Sequence, residues 1–224
     1  MKLLEEFGLK TEEIDKFSQY LSLLLEWNEK FNLTAITDEE EIEEKHFVDS
    51  IELSKYFDIK NKTLLDVGSG AGFPGIPLAI IEPSLKVTLL EATGKRVTFL
   101  KEVVKKLNLK NVEVIQGRAE ELNKRESFDI VTARAVKELN VLLEICFHLV
   151  KVGGTFVAYK SSNIDNELKN AQHALKCLAI DNYKKFEYSL PKSKDNRVLL
   201  GILKKNKTLK KYPRHYGEIS KSPL

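Results

Sequence analysis

Cysteine is almost absent from this chain: among 224 residues only Cys146 and Cys177 carry a thiol, each inside helix-like sequence. Two thiols so placed exclude a disulfide framework and a four-ligand zinc site, and they point to a reducing compartment such as a bacterial-type cytoplasm. Long apolar runs are missing too: nothing approaches the roughly 18 uncharged apolar residues of a membrane-spanning helix, so no membrane contact is expected. Met1 to Glu13 holds four glutamates and no continuous apolar stretch, unlike a secretory signal. No internal repeat or low-complexity tract occurs. What is present is globular, with 42% hydrophobic and 31% charged residues, enough to build a sizeable core.

Charge is unevenly divided. Residues 1 to 58 hold 16 acids against 6 bases, whereas residues 184 to 224 hold 3 acids against 12 bases. A basic C-terminal segment including Lys204, Lys205, Lys207, Lys210 and Lys211 suits phosphate contact, and it suits plain solvation equally well.

From Thr11, a candidate N-cap followed by Glu12 and Glu13, apolar residues recur at Ile14, Phe17, Leu21, Leu24 and Leu25 with helical spacing. Asp38 can cap a second helix running through Glu39 to Glu44 and on to Leu53. Residues 1–60 therefore form a helical N-terminal extension. At Thr63 the pattern changes to a buried-strand run, and strand candidates at 63–67, 86–90, 112–115, 128–132 and 155–159 alternate with helical stretches at 76–81, 94–107, 118–122, 138–149 and 165–178. That alternation predicts βαβ units. Two extended runs, Tyr183 to Leu190 and Arg197 to Leu203, flank a turn and predict an antiparallel hairpin. The expected fold is α/β, Rossmann-like, with a seven-stranded, mainly parallel sheet over 61–205 and a basic tail over 206–224, all in one compact body.

The first strand ends in Asp66 and runs into Gly68-Ser69-Gly70-Ala71-Gly72-Phe73-Pro74-Gly75. Gly70 to Gly75 fits the dinucleotide pattern G-x-G-x-x-G literally. Pro74 and Pro77, however, remove two of the amides that the following helix would offer a pyrophosphate, and the Asp66 carboxylate opposes an anion. S-adenosylmethionine, which carries a sulfonium and an ammonium and no phosphate, suits such a loop better. Glu91, closing the second strand, is placed to accept both ribose hydroxyls, as it would for NAD. Ala119 and Glu120 follow the third strand, where adenine belongs; Glu120 reads equally as a first-turn helix acid.

These residues resemble one family, the bacterial 16S rRNA guanine-N7 methyltransferases of the RsmG/GidB (glucose-inhibited division protein B) type. The resemblance covers nearly the whole chain: Trp27 to Ala35, His46-Phe47-Val48-Asp49-Ser50, Leu65 to Leu78, Gly94 to Leu100, Gly117-Arg118-Ala119-Glu120 and Ala133-Arg134-Ala135. It implies a class I methyltransferase fold, S-adenosylmethionine as cofactor, and a guanine in a decoding-region loop of small-subunit rRNA as substrate, whether in naked RNA or in an assembly intermediate. It also implies that Gly68, Phe73, Ala119, Glu120 and Arg134 hold the cofactor, beside Asp66, Ser69, Gly70 and Glu91. The C-terminus departs from the family's usual Pro-Arg-Lys-x-Gly-x-Pro, reading Pro213-Arg214-His215-Tyr216-Gly217-Glu218-Ile219.

Guanine N7 bears a lone pair and no proton, so transfer to it needs no general base, and placement supplies most of the acceleration. Arg134, past the fourth strand, is expected to bridge cofactor and nucleotide. Lys160, after the fifth, either approaches phosphate or base or is a solvated strand-end lysine. Arg197 is an RNA contact or a plain edge residue, and Lys210, Lys211, Arg214 and Lys221 are further candidate RNA contacts. His46 and Asp49, three apart on one helical face, are expected to share a buried hydrogen bond rather than to bind metal; no metal site, obligate protein partner or oligomer is expected. Trp27 is expected in the core, and Asn32 and Thr34 at the end of the first long helix. A methyltransferase acting on another RNA or on a small molecule, a Rossmann-fold dehydrogenase and a non-catalytic binding module remain the competing readings.

Overall fold

A computed structural model describes residues 1–134 and 137–224. The helical extension comprises α1 (Lys2–Glu6) and α2 (Thr11–Phe31), followed by α3 (Glu39–Ile42), a π-helical turn (Glu43–Val48), α4 (Asp49–Ile51) and a 3₁₀ turn (Glu52–Lys55). Thr11 is the first helical residue of α2 rather than its cap: Lys10 takes the cap position, its amide donating to Glu13 Oε2 at 2.7 Å. Asn32 ends α2 in the left-handed conformation, as a short polar residue can. Asp38 caps α3 as expected, accepting from the Glu41 amide. The smooth second helix expected from Asp38 to Leu53 is instead interrupted by the π turn, which changes which side chains share a face.

The α/β body follows as β1 (Thr63–Val67), α5 (Gly75–Ile81), β2 (Lys86–Glu91), α6 (Gly94–Lys106), β3 (Val112–Gln116), a 3₁₀ turn (Ala119–Glu121), β4 (Phe128–Arg134), α7 (Leu139–Cys146) and β5 (Val150–Ser161). The expected last helix is split into α8 (Ile164–Asn170) and α9 (Gln172–Cys177), before β6 (Lys184–Ser189), β7 (Asn196–Leu203) and α10 (Tyr216–Lys221). The sheet order is β3-β2-β1-β4-β5-β7-β6; β1 to β5 are parallel, and β7 runs antiparallel to both β5 and β6.

One core lies on each face. The N-terminal helices, α5 and α6 cover one, with Tyr20, Phe17 and Phe47 fully buried; α7 to α10 cover the other. Trp27 packs 5.6 Å from Phe99 on the first face, in the core position expected. Because β1 is followed by β2 on one side and neighbours β4 on the other, the connections after β1 and β4 diverge. The crevice outside their carboxyl ends is where open α/β sheets bind ligands. Among the described residues no helix is long and apolar enough to cross a membrane.

Candidate functional site

The glycine loop leaves β1 at this crevice. Gly72 has φ 102°, and a Cβ there would come within 2.6 Å of the Tyr20 hydroxyl, which donates to the Ala71 carbonyl and ties α2 to the loop. The loop's amides are engaged internally: Gly68 and Ser69 donate to Leu90 O, Gly70 to Glu91 Oε2, Gly72 and Phe73 to Ser69 O, Gly75 to Asp66 Oδ2 and Ile76 to Gly72 O. With prolines at 74 and 77, these amides form no phosphate nest.

Asp66 lies beneath the loop, fully buried. It holds the start of α5 through the Gly75 amide at 3.1 Å and accepts from Thr132 Oγ1 at 3.2 Å. Burial pushes its carboxyl up to about 6, against the pull of those donors and of Arg134. Asp66 and Ser69, whose hydroxyl donates to the Asp66 carbonyl, therefore shape the loop from within; neither they nor Gly70 and Phe73 line either of the two cavities at the sheet edge. Glu91, buried at the end of β2, uses one oxygen on the Gly70 amide and the other on the Thr93 amide at 2.8 Å.

Two cavities open at the carboxyl edge of the sheet. One, of about 270 Å³, is lined by Gly68, Glu91, Ala119, Glu120 and also by Arg118 and Tyr216. Its wall contains a buried oxygen without a hydrogen-bond partner, Glu120 Oε1. An unpartnered carboxylate oxygen asks for a donor from a ligand. The carboxylates Glu91 and Glu120 share this wall with the cations Arg96, Arg118 and Lys137, and with the loop amides engaged and no phosphate nest the cavity suits a nucleoside that offers hydrogen-bond donors and carries no phosphate.

The other cavity, of about 440 Å³, lies over β4, β5 and β7 and is lined by Lys45, His46, Asp49, Arg134, Lys160 and Arg197 among others. Arg134 is its hub. Nη1 donates to Asp49 Oδ2 at 3.0 Å and to the Lys45 carbonyl at 3.2 Å, and Nη2 reaches His46 Nδ1 at 3.4 Å. The guanidinium also sits 4.9 Å from the centre of the Phe73 ring, which stacks on His46 at 4.7 Å. Asp49 is shared in turn by the Tyr188 hydroxyl at 2.7 Å and approached by Arg197 Nε at 3.8 Å.

The expected His46–Asp49 hydrogen bond is not formed. The π turn moves the two residues off a common face, and Arg134 lies between them, bonding each. His46 instead pairs through Nε2 with Thr34 Oγ1 at 2.8 Å, just past the end of α2. Burial and the Arg134 charge lower its pKa to about 3, so the ring is neutral at physiological pH.

Lys160 is not a free cation: Nζ binds Glu167 Oε2 at 2.5 Å and the Lys137 carbonyl at 3.0 Å, so the solvated-lysine alternative falls away as well. Lys137 lines the smaller cavity while its carbonyl holds Lys160 of the larger, so the two cavities adjoin there. Arg197 belongs to the larger cavity and sits on an inner strand rather than at the sheet edge. Ala135, the end of the Ala-Arg-Ala motif, lies outside the described residues.

The basic C-terminal candidates divide. Arg214 is withdrawn from RNA contact, because Nε and Nη2 grip the fully buried Glu144 carboxylate at 2.7 and 2.6 Å. Lys204 is also buried, donating to the Phe147 and Val150 carbonyls, and Lys205 pairs with Asp181. Lys210, Lys211 and Lys221 are exposed. Sequence reading did not find Lys45, Tyr188, Glu167, Arg118 or Tyr216. Arg118 and Tyr216 stand inside stretches quoted above without a role of their own, and Tyr188 meets Asp49 from 139 positions away. Cys146 is buried, and burial pushes its thiol well up, which removes it as a nucleophile. Among the described residues no cluster of metal-ligating side chains occurs.

Comparison with known proteins gives the same picture. The chain is 47% identical over 221 residues to the ribosomal RNA small subunit methyltransferase G of Lachnoclostridium phytofermentans, covering 96% of this chain and 91% of the relative. It is 46% identical over 229 residues to that of Bacillus thuringiensis, covering 99% and 96%. Among solved structures, a putative S-adenosyl-L-methionine-dependent methyltransferase from Methanococcus maripaludis aligns with TM-score 0.59 at 15% identity, over 76% of this chain and 92% of that one. A SAM-dependent methyltransferase from Aquifex aeolicus aligns with TM-score 0.56 at 18% identity, over 74% and 94%. At such identities the structural likeness speaks for the fold. The family described as rRNA small subunit methyltransferase G (GidB) matches residues 13–196, and with these relatives the chain belongs to that family.

Proposed function

We propose that this protein transfers the methyl group of S-adenosylmethionine to N7 of a guanine in small-subunit ribosomal RNA, and that it does so in the cytoplasm as a monomer. Methyltransferase activity on ribosomal RNA rests on family membership; the atom and the residue roles are the finer reading. One observation supports it: a cavity with an unpartnered Glu120 oxygen and no phosphate nest adjoins a larger cavity holding four cationic side chains, Lys45, Arg134, Lys160 and Arg197, against the carboxylates Asp49 and Glu167.

When bound, S-adenosylmethionine supplies a methyl group on a sulfonium. Gly68, Glu91, Ala119 and Glu120 would hold it, Glu120 Oε1 accepting from the adenine amine and Glu91 keeping a lone pair on each oxygen for the ribose. Asp66, Ser69, Gly70 and Phe73 support the loop from below. In the larger cavity the chain's own residues fix the acceptor. Arg134, locked by Asp49, Lys45 and His46, presents a rigid guanidinium to the nucleotide. Arg197 and Lys45 supply charge for phosphate, and Lys160 anchors the connection after β4 through the Lys137 carbonyl. N7 carries no proton, so none of these groups has to remove one. A cationic rim attracts the RNA backbone, and a looped-out guanine reaches the crevice as single-stranded bases do. The exposed Lys210, Lys211 and Lys221 add backbone contacts.

The division of labour follows the chain. Residues 61–205 carry both cavities, 1–60 bring Lys45, His46 and Asp49 over the larger one, and 206–224 bring Tyr216 to the smaller. The reading is tested by incubation with methyl-labelled S-adenosylmethionine and unmodified small-subunit RNA, followed by digestion to nucleosides. Label in 7-methylguanosine is expected; label in any other nucleoside, or none, contradicts it.

A further inference from the structure

The C-terminal segment crosses the molecule rather than trailing from it. β7 runs antiparallel and ends at the amino edge of the sheet, where the Gly153 amide donates to the Lys204 carbonyl. The chain then returns along α7. Arg214 clamps Glu144 of that helix, Ile219 of α10 is fully buried in the second core, and Asn140 Nδ2 donates to the Leu224 carbonyl at 3.3 Å. This latch brings Tyr216, the first residue of α10, to the wall of the donor cavity. There the Arg118 guanidinium lies 5.2 Å from the Tyr216 ring centre, and its Nη1 lies 3.9 Å from Glu120 Oε1, the buried oxygen without a partner.

We propose that Tyr216 is a positioning residue of the donor site, its ring stacking on the purine base of S-adenosylmethionine, and that α10 is therefore a wall of that site. The inference rests on the donor assignment made above. A flat aromatic side chain beside an unpartnered carboxylate oxygen answers adenine twice: a π surface for the ring and an acceptor for the exocyclic amine. An aliphatic or purely charged ligand would use at most one of the two. The Arg118 contact holds the Tyr216 ring in the wall, and the Arg214–Glu144 pair fixes the approach of α10, so the C-terminal departure from the family's usual tail gains a role at the cofactor instead of at RNA.

The test is titration calorimetry on the full chain with S-adenosylhomocysteine and with adenosine, for wild type, Tyr216→Ala, Tyr216→Leu and Tyr216→Phe, with melting temperatures alongside. Loss of a stacking partner should weaken both ligands about 10-fold in the Ala and Leu variants. Phe, which keeps the ring, should bind within about twofold of wild type. Unchanged affinity in Tyr216→Leu, or a loss for S-adenosylhomocysteine not shared by adenosine, overturns the inference and leaves the donor assignment standing. A lowered melting temperature with unchanged affinity also overturns it, since α10 would then only be structural. Failure of wild type to bind S-adenosylhomocysteine at all overturns the donor assignment itself.

Discussion

Arg134 is the hub of the larger cavity and does not line the smaller one, and its surroundings decide what its removal does. It is held by Asp49, whose side chain is only 6% exposed, and it neighbours His46 and Phe73. Arg134→Ala strands a buried carboxylate, so it should destabilise the fold by about 3 kcal/mol as well as abolish transfer. Arg134→Lys keeps the charge and loses the fork that binds Asp49, the Lys45 carbonyl and His46 together. We expect a melting temperature near wild type with methyl transfer reduced at least about 100-fold by lost positioning; full activity of the lysine variant removes Arg134 from the site. From the sequence, Arg134 was legible as a residue at the carboxyl end of the fourth strand, where it is the last residue of β4. Its partner was not, because Asp49 lies 85 positions away and helical spacing pairs it with His46 instead. Tyr188, 139 positions from the Asp49 carboxylate that its hydroxyl donates to, was illegible for the same reason: the two groups meet only after the sheet assembles.

Elements were more legible than contacts. Period changes located all seven strands and the terminal hairpin, since side-chain alternation and glycine turns are local signals. The π turn at Glu43–Val48 escaped, because its residues have ordinary helical patterning and the contacts of His46 with Arg134 and Phe73 reach beyond the local sequence. The glycine loop shows the opposite case, where small residues are dictated by close approach. A Cβ on Gly75 would stand 2.3 Å from Leu89 Cδ2 and 3.0 Å from Asp66 Oδ2, at the point where Asp66 receives the α5 amide. Gly75→Ala should therefore cost about 1–3 kcal/mol of stability and weaken S-adenosylhomocysteine binding. Thermal melting and calorimetry check this, and an alanine variant as stable as wild type would mean that the loop is not packed as described. The C-terminal lysines divide by element too. Lys204→Ala empties a buried site and should destabilise by about 2–4 kcal/mol, whereas Lys207, Lys210 and Lys211 changed together to Gln should leave melting unaltered and lower the salt slope of RNA binding by about 1 per lost phosphate contact. An unaltered slope would make those lysines solvated surface.

At the scale of the whole molecule, charge and proton binding follow from where the core was built. His148 is buried and His46 half-buried, and desolvation lowers each to about 3, so both are neutral when folded and protonated in the unfolded chain below their ordinary value near 6.5. Folding is thus opposed progressively as pH falls from 6.5 towards 3. Asp66, raised to about 6, has the opposite sign: its folded form favours the proton, so its contribution is full below about 4 and is lost as pH rises through 6. Two histidines outweigh one carboxyl, and wild type should lose stability on acidification from pH 6.5 to 4. Denaturant melts across that range check the sign; Asp66→Asn, by removing the opposing group, should make the loss steeper, and a flatter curve would contradict the assignment. The acidic extension, the α/β body and the returning C-terminal segment together bring charges that are unevenly spread along the chain to one crevice with two adjoining cavities. The most direct test of that arrangement is strand cleavage at 7-methylguanosine in unmodified small-subunit RNA after incubation with the protein and S-adenosylmethionine. A single cleavage position, lost with Arg134→Lys, is the predicted result; no cleavage, or cleavage unaffected by that substitution, would contradict it.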